Sequence, residues 1–179
     1  ARIPPATRVF LHPGRITEAK NQLVLVRVFH RLIGDGRDIV LLIVGKEEDD
    51  DILQQLRPYF SDRIRYLGLH TDVPSLLARA DAMCLPSLWE GLPITLLECL
   101  AVGCIPVCSP VGGIADVVKD GVNGLLSRSS DEDDYYRSML RFLQMGGEET
   151  AEMQQRCRQS FLPYHITNSV GKYLQEYMR

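Results

Sequence analysis

Three segments of the 179-residue chain contain glycine or proline just before a predicted helix, and the first two also carry charged side chains. The first is His12-Pro-Gly-Arg, followed five residues later by Lys20. Gly14 permits a tight turn, and Arg15 and Lys20 set two cations beside a helix N-terminus, whose free N–H groups and dipole already favour an anion. The pattern predicts a diphosphate clamp. The alternative is a pair of exposed surface cations on an ordinary loop.

The second segment carries two glutamates, one in a loop and one on a helix. Pro93 suits the first helical position, which leaves the N–H groups of Gly91 and Leu92 at the helix mouth. Glu90 lies in the loop, whereas Glu98 falls among apolar residues, where a carboxylate is costly to bury without hydrogen-bond donors. Ligand hydroxyl groups would be such donors. The alternative is that Glu98 faces solvent on an amphipathic helix.

The third segment contains Gly112 and Gly113 before a short helix, a second place where backbone donors could approach a phosphate. Two glycines alone are weak evidence, because turns need them anyway. All three segments follow predicted strands of a parallel sheet, and ligands bind such sheets outside the carboxyl ends of the strands. We therefore expect the three loops to share one site.

The elements that must position these loops alternate between strand and helix up to about residue 126, as βαβ units do. After that point only helical patterns follow. The predicted fold class is α/β, a three-layer αβα domain whose parallel sheet has about six strands, with C-terminal helices packed on it. The predicted strands are 8–12, 39–44, 64–67, 82–85, 105–108 and 124–126, and the predicted C-terminal helices are 131–144, 148–160 and 166–178.

The overall composition excludes several classes of protein. Twenty Lys+Arg against 23 Asp+Glu give a net charge of −3, whereas nucleic-acid binders usually show a basic excess. No apolar stretch approaches the ~18 residues that span a bilayer. The first residues include neither an initiator Met nor the apolar stretch of a signal peptide. We expect a fragment of a longer protein.

The cysteines and the acidic runs are predicted to have structural rather than catalytic or metal-binding roles. The five cysteines form no C-x-x-C pair and four of them lie in strongly apolar runs, so they are predicted to be buried in a protein of the reducing cytosol. A metal site at Cys104 and Cys108 is the alternative. The acidic runs at 47–51 and 131–134 precede helices and are predicted to act as capping charges rather than as cation ligands.

With these motifs in order, the sequence resembles the C-terminal, nucleotide-sugar-binding domain of GT-B-fold retaining glycosyltransferases of family 4, the glycosyltransferase group 1. The resemblance covers about residues 7–127. Its motifs are Gly14-Arg15 with Lys20-Asn21, Ile43-Val-Gly45, Tyr66-Leu-Gly68, Ala80-Asp81, Pro86-Ser87, Glu90 and Glu98 around Glu-Gly-Leu-Pro, Gly103 with Pro106-Val107, Gly112-Gly113, and Asp120-Gly-x-Asn123-Gly-Leu125.

The resemblance implies a Rossmann-like domain and a role for each site residue. Arg15 and Lys20 are similar to the pair that grips the donor diphosphate and stabilises the charge on the leaving group. Glu90 resembles the glutamate that contacts the donor sugar, which makes these three the implied catalytic residues, and Glu98 resembles the one that accepts from the ribose. The remaining implied binding residues are Gly14, Gly91, Leu92, Pro93 and Ile94 near sugar and phosphates, and Gly68, Leu69 and His70 near the base.

The resemblance also implies an activity, its partners and its setting. The chain would be one donor domain, residues 1–179, of a bacterial, cytoplasmic enzyme of polysaccharide biosynthesis, without the acceptor-binding N-terminal domain and therefore inactive alone. The donor would be a UDP-, GDP- or ADP-sugar and the acceptor a glycan or lipid-linked hydroxyl, with no cofactor and no metal. The absent domain would provide any peripheral association with the inner face of the membrane. Two alternatives stay open, a non-catalytic nucleotide- or sugar-binding module and a sugar-nucleotide epimerase of the same fold.

Overall fold

The computed structural model describes residues 2–165, and its centre is one sheet of six parallel strands. The spatial order of the strands is β3-β2-β1-β4-β5-β6. Most of their residues are buried, as a sheet covered on both faces requires. The strands are β1 (Arg8–Pro13), β2 (Ile39–Val44), β3 (Ile64–Tyr66), β4 (Ala82–Leu85), β5 (Ile105–Cys108) and β6 (Leu125–Leu126).

Seven α-helices lie within the described part of the chain and cover both faces of the sheet. The first, second and sixth pack together, whereas the fourth packs against the third and the seventh. The helices are α1 (Gln22–Gly34), α2 (Asp50–Leu56), α3 (Val73–Leu77), α4 (Ile94–Val102), α5 (Ile114–Val117), α6 (Glu132–Gln144) and α7 (Gly147–Phe161). The predicted three-layer α/β fold is confirmed.

The strand order places a topological switch point between β1 and β4. From β1 the chain builds outward through β2 and β3, then returns to place β4 on the other side of β1. Helix α1 follows β1 and packs with α2 and α6, whereas α4 follows β4 and packs with α3 and α7. The two loops therefore leave the sheet toward different helix layers, and the crevice between them is where such sheets bind ligands.

An aromatic cluster fixes α1 and α6 against the sheet. The ring of Phe10 on β1 meets Phe29 of α1 at 5.2 Å and Phe142 of α6 at 5.4 Å, both edge-to-face. The Tyr135 hydroxyl, fully buried, donates to the Val107 carbonyl of β5 at 2.7 Å. These contacts make the sheet and the α1 layer one rigid support for the loops above.

The predicted boundaries differ from the observed ones by about one residue. Strand β1 runs on to Pro13, and Pro93 stands just before α4 as its N-cap rather than at its first position. The N-cap assignment reflects the extended conformation of Pro93, with ψ of 127°. The C-terminal helix predicted at 166–178 lies outside the described residues.

The cysteines are buried as predicted, and the acidic runs lie at the starts of α2 and α6. All five cysteines are free and buried, and burial raises the pKa of Cys84, Cys99, Cys108 and Cys157. The Asp49 carboxylate accepts from the Ile52 N–H at 3.0 Å and so caps α2. The second run supplies acidic residues to the first turn of α6. Among residues 2–165 no three His, Cys, Asp or Glu side chains are grouped to hold a metal ion.

The helices that the structure describes include none that is long and apolar enough to cross a membrane.

Candidate functional site

The loops after β1 and β4 meet directly at the switch point. The Leu88 N–H donates to the Ala19 carbonyl at 2.8 Å, and the Asn21 side-chain amide donates to the Pro86 carbonyl at 3.1 Å. Asn21 adopts a left-handed conformation, with φ of 53°, between the short helical turn at Glu18–Lys20 and α1. The two loops thus form one continuous surface at the carboxyl edge of the sheet.

Lys20 and Glu90 form an ion pair across this junction. Lys20 Nζ lies 2.5 Å from Glu90 Oε1, and the side chains are only 16% and 10% exposed. The Ser87 hydroxyl, itself fully buried, donates to the same oxygen at 2.7 Å. Because little water reaches the pair, its charges act more strongly than surface charges at the same separation.

Arg15 lies on the same loop as Lys20 but has a different partner. Its guanidinium donates to Glu48 Oε2 at 2.8 Å, and its side chain is 65% exposed. A surface pair of this kind contributes little stability, because water screens it and two long side chains must be ordered. Arg15 can therefore exchange Glu48 for an incoming anion at small cost.

An open cleft of about 280 Å³ joins the Arg15 turn to the ends of β2 and β3. The structure brings Gly14 and Arg15 into contact with the same space as Leu69 and His70, and Thr95 of α4 closes one side. The preceding residue, Gly68, accepts from the Gly45 N–H at 2.9 Å and anchors that loop to β2. Four segments distant in sequence thus line one space. The lining residues are Pro13, Gly14, Arg15, Val44, Gly45, Lys46, Leu69, His70, Val73 and Thr95.

Glu98 is half-buried on α4, and burial raises the pKa of its carboxyl. It follows Thr95 by three residues, so the two side chains share one face of the helix. The residues that lead into α4 differ in exposure. Leu92 and Ile94 are 41% and 74% exposed, Gly91 is exposed and Pro93 is buried.

In the glycine pair after β5, the structure uses one of the two N–H groups within the protein. The Gly113 N–H donates to the Gly91 carbonyl at 2.9 Å and is therefore committed to protein rather than to a phosphate. Gly112 has φ of 51°, and a Cβ there would lie 1.8 Å from the Glu90 carbonyl oxygen. Only glycine permits this approach. The loop after β5 therefore packs against the backbone of the Glu90 segment.

Two buried polar residues beneath the Arg15 turn were not predicted. His12 is fully buried and Gln22 is 1% exposed, and their side chains meet at 3.2 Å. His12 begins the His12-Pro-Gly-Arg segment, but nothing in that segment assigns it a role, and Gln22 lies outside the motifs named above. The only signal was a histidine inside an apolar strand run, which by itself does not indicate a partner.

Comparisons with known proteins agree on the family. The model for "Glycosyl transferases group 1" matches residues 1–160. A glycogen synthase of Pseudomonas syringae is 26% identical over 92% of this chain and 34% of its own length. The UDP-Gal:alpha-D-GlcNAc-diphosphoundecaprenol alpha-1,3-galactosyltransferase of Escherichia coli is 31% identical over 74% of this chain and 36% of its own length. The chain thus spans about a third of these curated relatives.

Solved structures share the fold. A glycosyltransferase from Rickettsia africae superposes with a TM-score of 0.88 at 19% identity, over 97% of this chain and 48% of that one. Anabaena HepE in complex with UDP-glucose superposes with a TM-score of 0.84 at 19% identity, over 97% of this chain and 49% of that one. The strand order, the switch-point loops and a family match over most of the sequence lead to one conclusion: the chain belongs to the glycosyl transferases group 1 family.

Proposed function

We propose that this chain binds a nucleotide-diphosphate sugar and forms the donor half of a glycosyltransferase that retains configuration at the anomeric carbon. The observation that carries the proposal is the shielded Lys20–Glu90 pair at the switch point, beside the cleft that Arg15 and His70 line. Names of relatives support a UDP-sugar as the first donor to test, because one uses UDP-Gal and a fold neighbour holds UDP-glucose.

The two cations would bind the diphosphate and stabilise the leaving group. As the bond from the anomeric carbon to phosphate oxygen breaks, negative charge grows on that oxygen, and preorganised cations lower the energy of this state. Lys20 is held by Glu90 before the donor arrives, and Arg15 is held only by a surface pair. This charge compensation supports transfer without an essential metal ion, which is part of the proposal.

Glu90 would orient the donor sugar. In the described part of the chain, both side-chain hydrogen bonds to its carboxylate end on Oε1, from Lys20 and Ser87, so Oε2 is the acceptor for sugar hydroxyls. Glu98 would accept from the ribose, with the N-terminal residues of α4 beside the sugar and phosphates. The base would lie against the 68–70 segment.

In this proposal the acceptor binds to residues outside this chain. The acceptor site, the glycan or lipid-linked hydroxyl that it takes, and a cytoplasmic location near the membrane all belong to the proposal. The chain alone is expected to bind donor and to transfer nothing.

Calorimetric titration of this chain with UDP, GDP, ADP and uridine tests donor binding. We expect one nucleoside diphosphate to bind in the millimolar to micromolar range, and Arg15→Ala and Lys20→Ala each to weaken it about tenfold or more while uridine binding is retained. Arg63→Ala is the matched control, because Arg63 also forms a surface ion pair, with Asp38, but just before β3 at the opposite edge of the sheet. Equal losses of affinity for UDP and uridine would contradict the assignment of Arg15 and Lys20 to the diphosphate.

Transfer itself is tested with the natural protein that contains this chain. Incubation with the bound sugar nucleotide and a glycan acceptor, in EDTA, should give a product with the donor's anomeric configuration. An inverted product, or complete loss of turnover in EDTA, would contradict the proposal. Donor binding without any transfer would favour the non-catalytic module.

A further inference from the structure

A buried chain of hydrogen bonds runs beneath the Arg15 turn and links both loops of the site. His12 Nδ1 lies 2.8 Å from the Cys84 carbonyl oxygen of β4. On the other side of the ring, His12 Nε2 lies 3.2 Å from Gln22 Nε2 on the first turn of α1. Gln22 Nε2 also donates to the Arg15 carbonyl at 2.8 Å. The chain therefore connects β4, β1, α1 and the turn that carries Arg15.

The partners assign every hydrogen in this chain. A carbonyl oxygen only accepts, so His12 Nδ1 carries the hydrogen that goes to Cys84 and Nε2 is left as an acceptor. The Gln22 amide nitrogen has two hydrogens, one for His12 Nε2 and one for the Arg15 carbonyl. Rotating the amide by half a turn would set its oxygen against that carbonyl, so only one orientation satisfies both neighbours.

The imidazole must be neutral for this arrangement to persist. Burial, aided by the positive charge of Lys20, lowers the pKa of His12 to about 4 and outweighs the opposing effects of the Cys84 carbonyl and Glu90. At neutral pH the ring therefore keeps its acceptor. An imidazolium would present a second N–H to the Gln22 amide and break the link.

The His12 ring also packs closely against the turn that carries Arg15. A Cβ at Gly14 would lie 3.2 Å from His12 Nε2 and 3.4 Å from the aliphatic stem of Lys20. On its other side the turn is tied to β2, since the Gly14 N–H donates to Val44 and the Ile16 N–H to Lys46, both at 2.9 Å. From the α1 side, Gln22 donates to the Arg15 carbonyl, which lies between these two amides in the chain.

We propose that Gln22, oriented by His12, is a positioning residue that fixes the Arg15 turn for binding of a nucleoside diphosphate. The inference rests on the proposed donor-binding function. Gln22 does not touch the donor; it acts through the backbone of Arg15. A merely structural Gln22 would affect folding, or all ligands alike, whereas a positioning residue affects the part of the affinity that depends on the diphosphate.

Gln22→Met tests this, because methionine has similar length and shape but donates no hydrogen bond. We expect UDP to bind this variant about tenfold more weakly, the effect of losing roughly one hydrogen bond's net contribution, and uridine to bind within about twofold of wild type. Gln55→Met is the matched control, since Gln55 is exposed on α2 and bonds only locally to Asp51. It should leave both affinities unchanged.

The outcomes separate the two proposals. If wild type binds UDP, Arg15→Ala weakens it, and Gln22→Met leaves it within twofold or weakens uridine equally, the positioning role is overturned and donor binding stands. If wild type binds no nucleoside diphosphate, both are overturned. Long-range nitrogen-15 NMR of the His12 ring in wild type is a second measurement that needs no variant. The Nδ1–H tautomer at pH 7 supports the assignment, and the Nε2–H tautomer overturns it.

Discussion

The Lys20–Glu90 ion pair should contribute strongly to the stability of the folded chain, and a double-mutant cycle measures the coupling free energy between the two side chains. Lys20→Met keeps most of the aliphatic stem and removes the charge. Glu90→Gln keeps the shape and an acceptor for the Ser87 hydroxyl, which lies 2.7 Å from Oε1. Each single change leaves one charge in a site where the side chains are only 16% and 10% exposed. The double variant leaves neither.

The expected magnitude follows from distance and burial. At 2.5 Å and an effective dielectric constant of about 20, the attraction is about 7 kcal/mol, most of which offsets the cost of removing both groups from water. Breaking a buried pair by removing one partner costs about 3–5 kcal/mol, and the residual exposure favours the lower end. We expect about 3 kcal/mol for each single variant, a similar loss for the double variant, and a coupling of about 2–3 kcal/mol.

Urea unfolding at pH 7 provides the free energies of the four proteins. Repeating it at 0.5 M NaCl should change the coupling little, because shielded charges are poorly screened by salt. Arg156 and Glu152 supply the matched control cycle, since they pair at 2.9 Å on α7 with about half of each side chain exposed. Their coupling should stay below about 1 kcal/mol. Equal couplings for both pairs would refute the argument that burial makes the Lys20–Glu90 pair strong.

Three further predictions concern the surroundings of this pair. The folded pKa of His12 is about 4 and its ordinary value is 6.5, so the unfolded chain takes up the proton first. The difference in the free energy of unfolding between wild type and His12→Asn should therefore be largest above about pH 6.5. In urea titrations it should fall by about 3 kcal/mol toward pH 4. Gly112→Ala should lower the free energy of unfolding by about 2–4 kcal/mol in the same assay, because residue 112 has φ of 51° and an added Cβ would clash with the Glu90 carbonyl. Glu98→Gln should weaken uridine binding several-fold in calorimetry, because a charged acceptor for ribose hydroxyls is replaced by a neutral one.

Each of these predictions has an outcome that would contradict it, and the second and third also have a control variant in the same chain. Parallel pH profiles for wild type and His12→Asn would contradict the first. Gly147→Ala should be nearly neutral, because a Cβ there meets nothing within 4 Å, and an equal effect at Gly112 would contradict the second. Glu149→Gln removes an exposed carboxylate on α7 and should not affect uridine; unchanged uridine binding in Glu98→Gln would contradict the third.

Much of the fold could be predicted because it follows from local patterns. Short continuous apolar runs such as Ile39–Val44 are typical of buried strands, and their alternation with helical spacing indicates a parallel sheet. The cap at Asp49 was also predictable, since it depends on residues three positions apart. These features need no knowledge of which strands become neighbours.

The pairing within the site could not be predicted in the same way. Lys20 and Glu90 are 70 residues apart, and they meet because β4 inserts beside β1 rather than beside β3. The same composition with another strand order would separate them. The sequence placed Arg15 and Lys20 together as two cations, but only the folded chain gave them different partners and different exposure.

By itself, the sequence determined an α/β domain and which loops would carry charge, because periodicity and turn chemistry act over a few residues. The tertiary structure decided which side chains meet, that Gly113 binds protein through its N–H, and that His12 is buried and neutral at physiological pH. Those properties depend on long-range packing and on exclusion of water, and both are set only when the sheet closes in its final order.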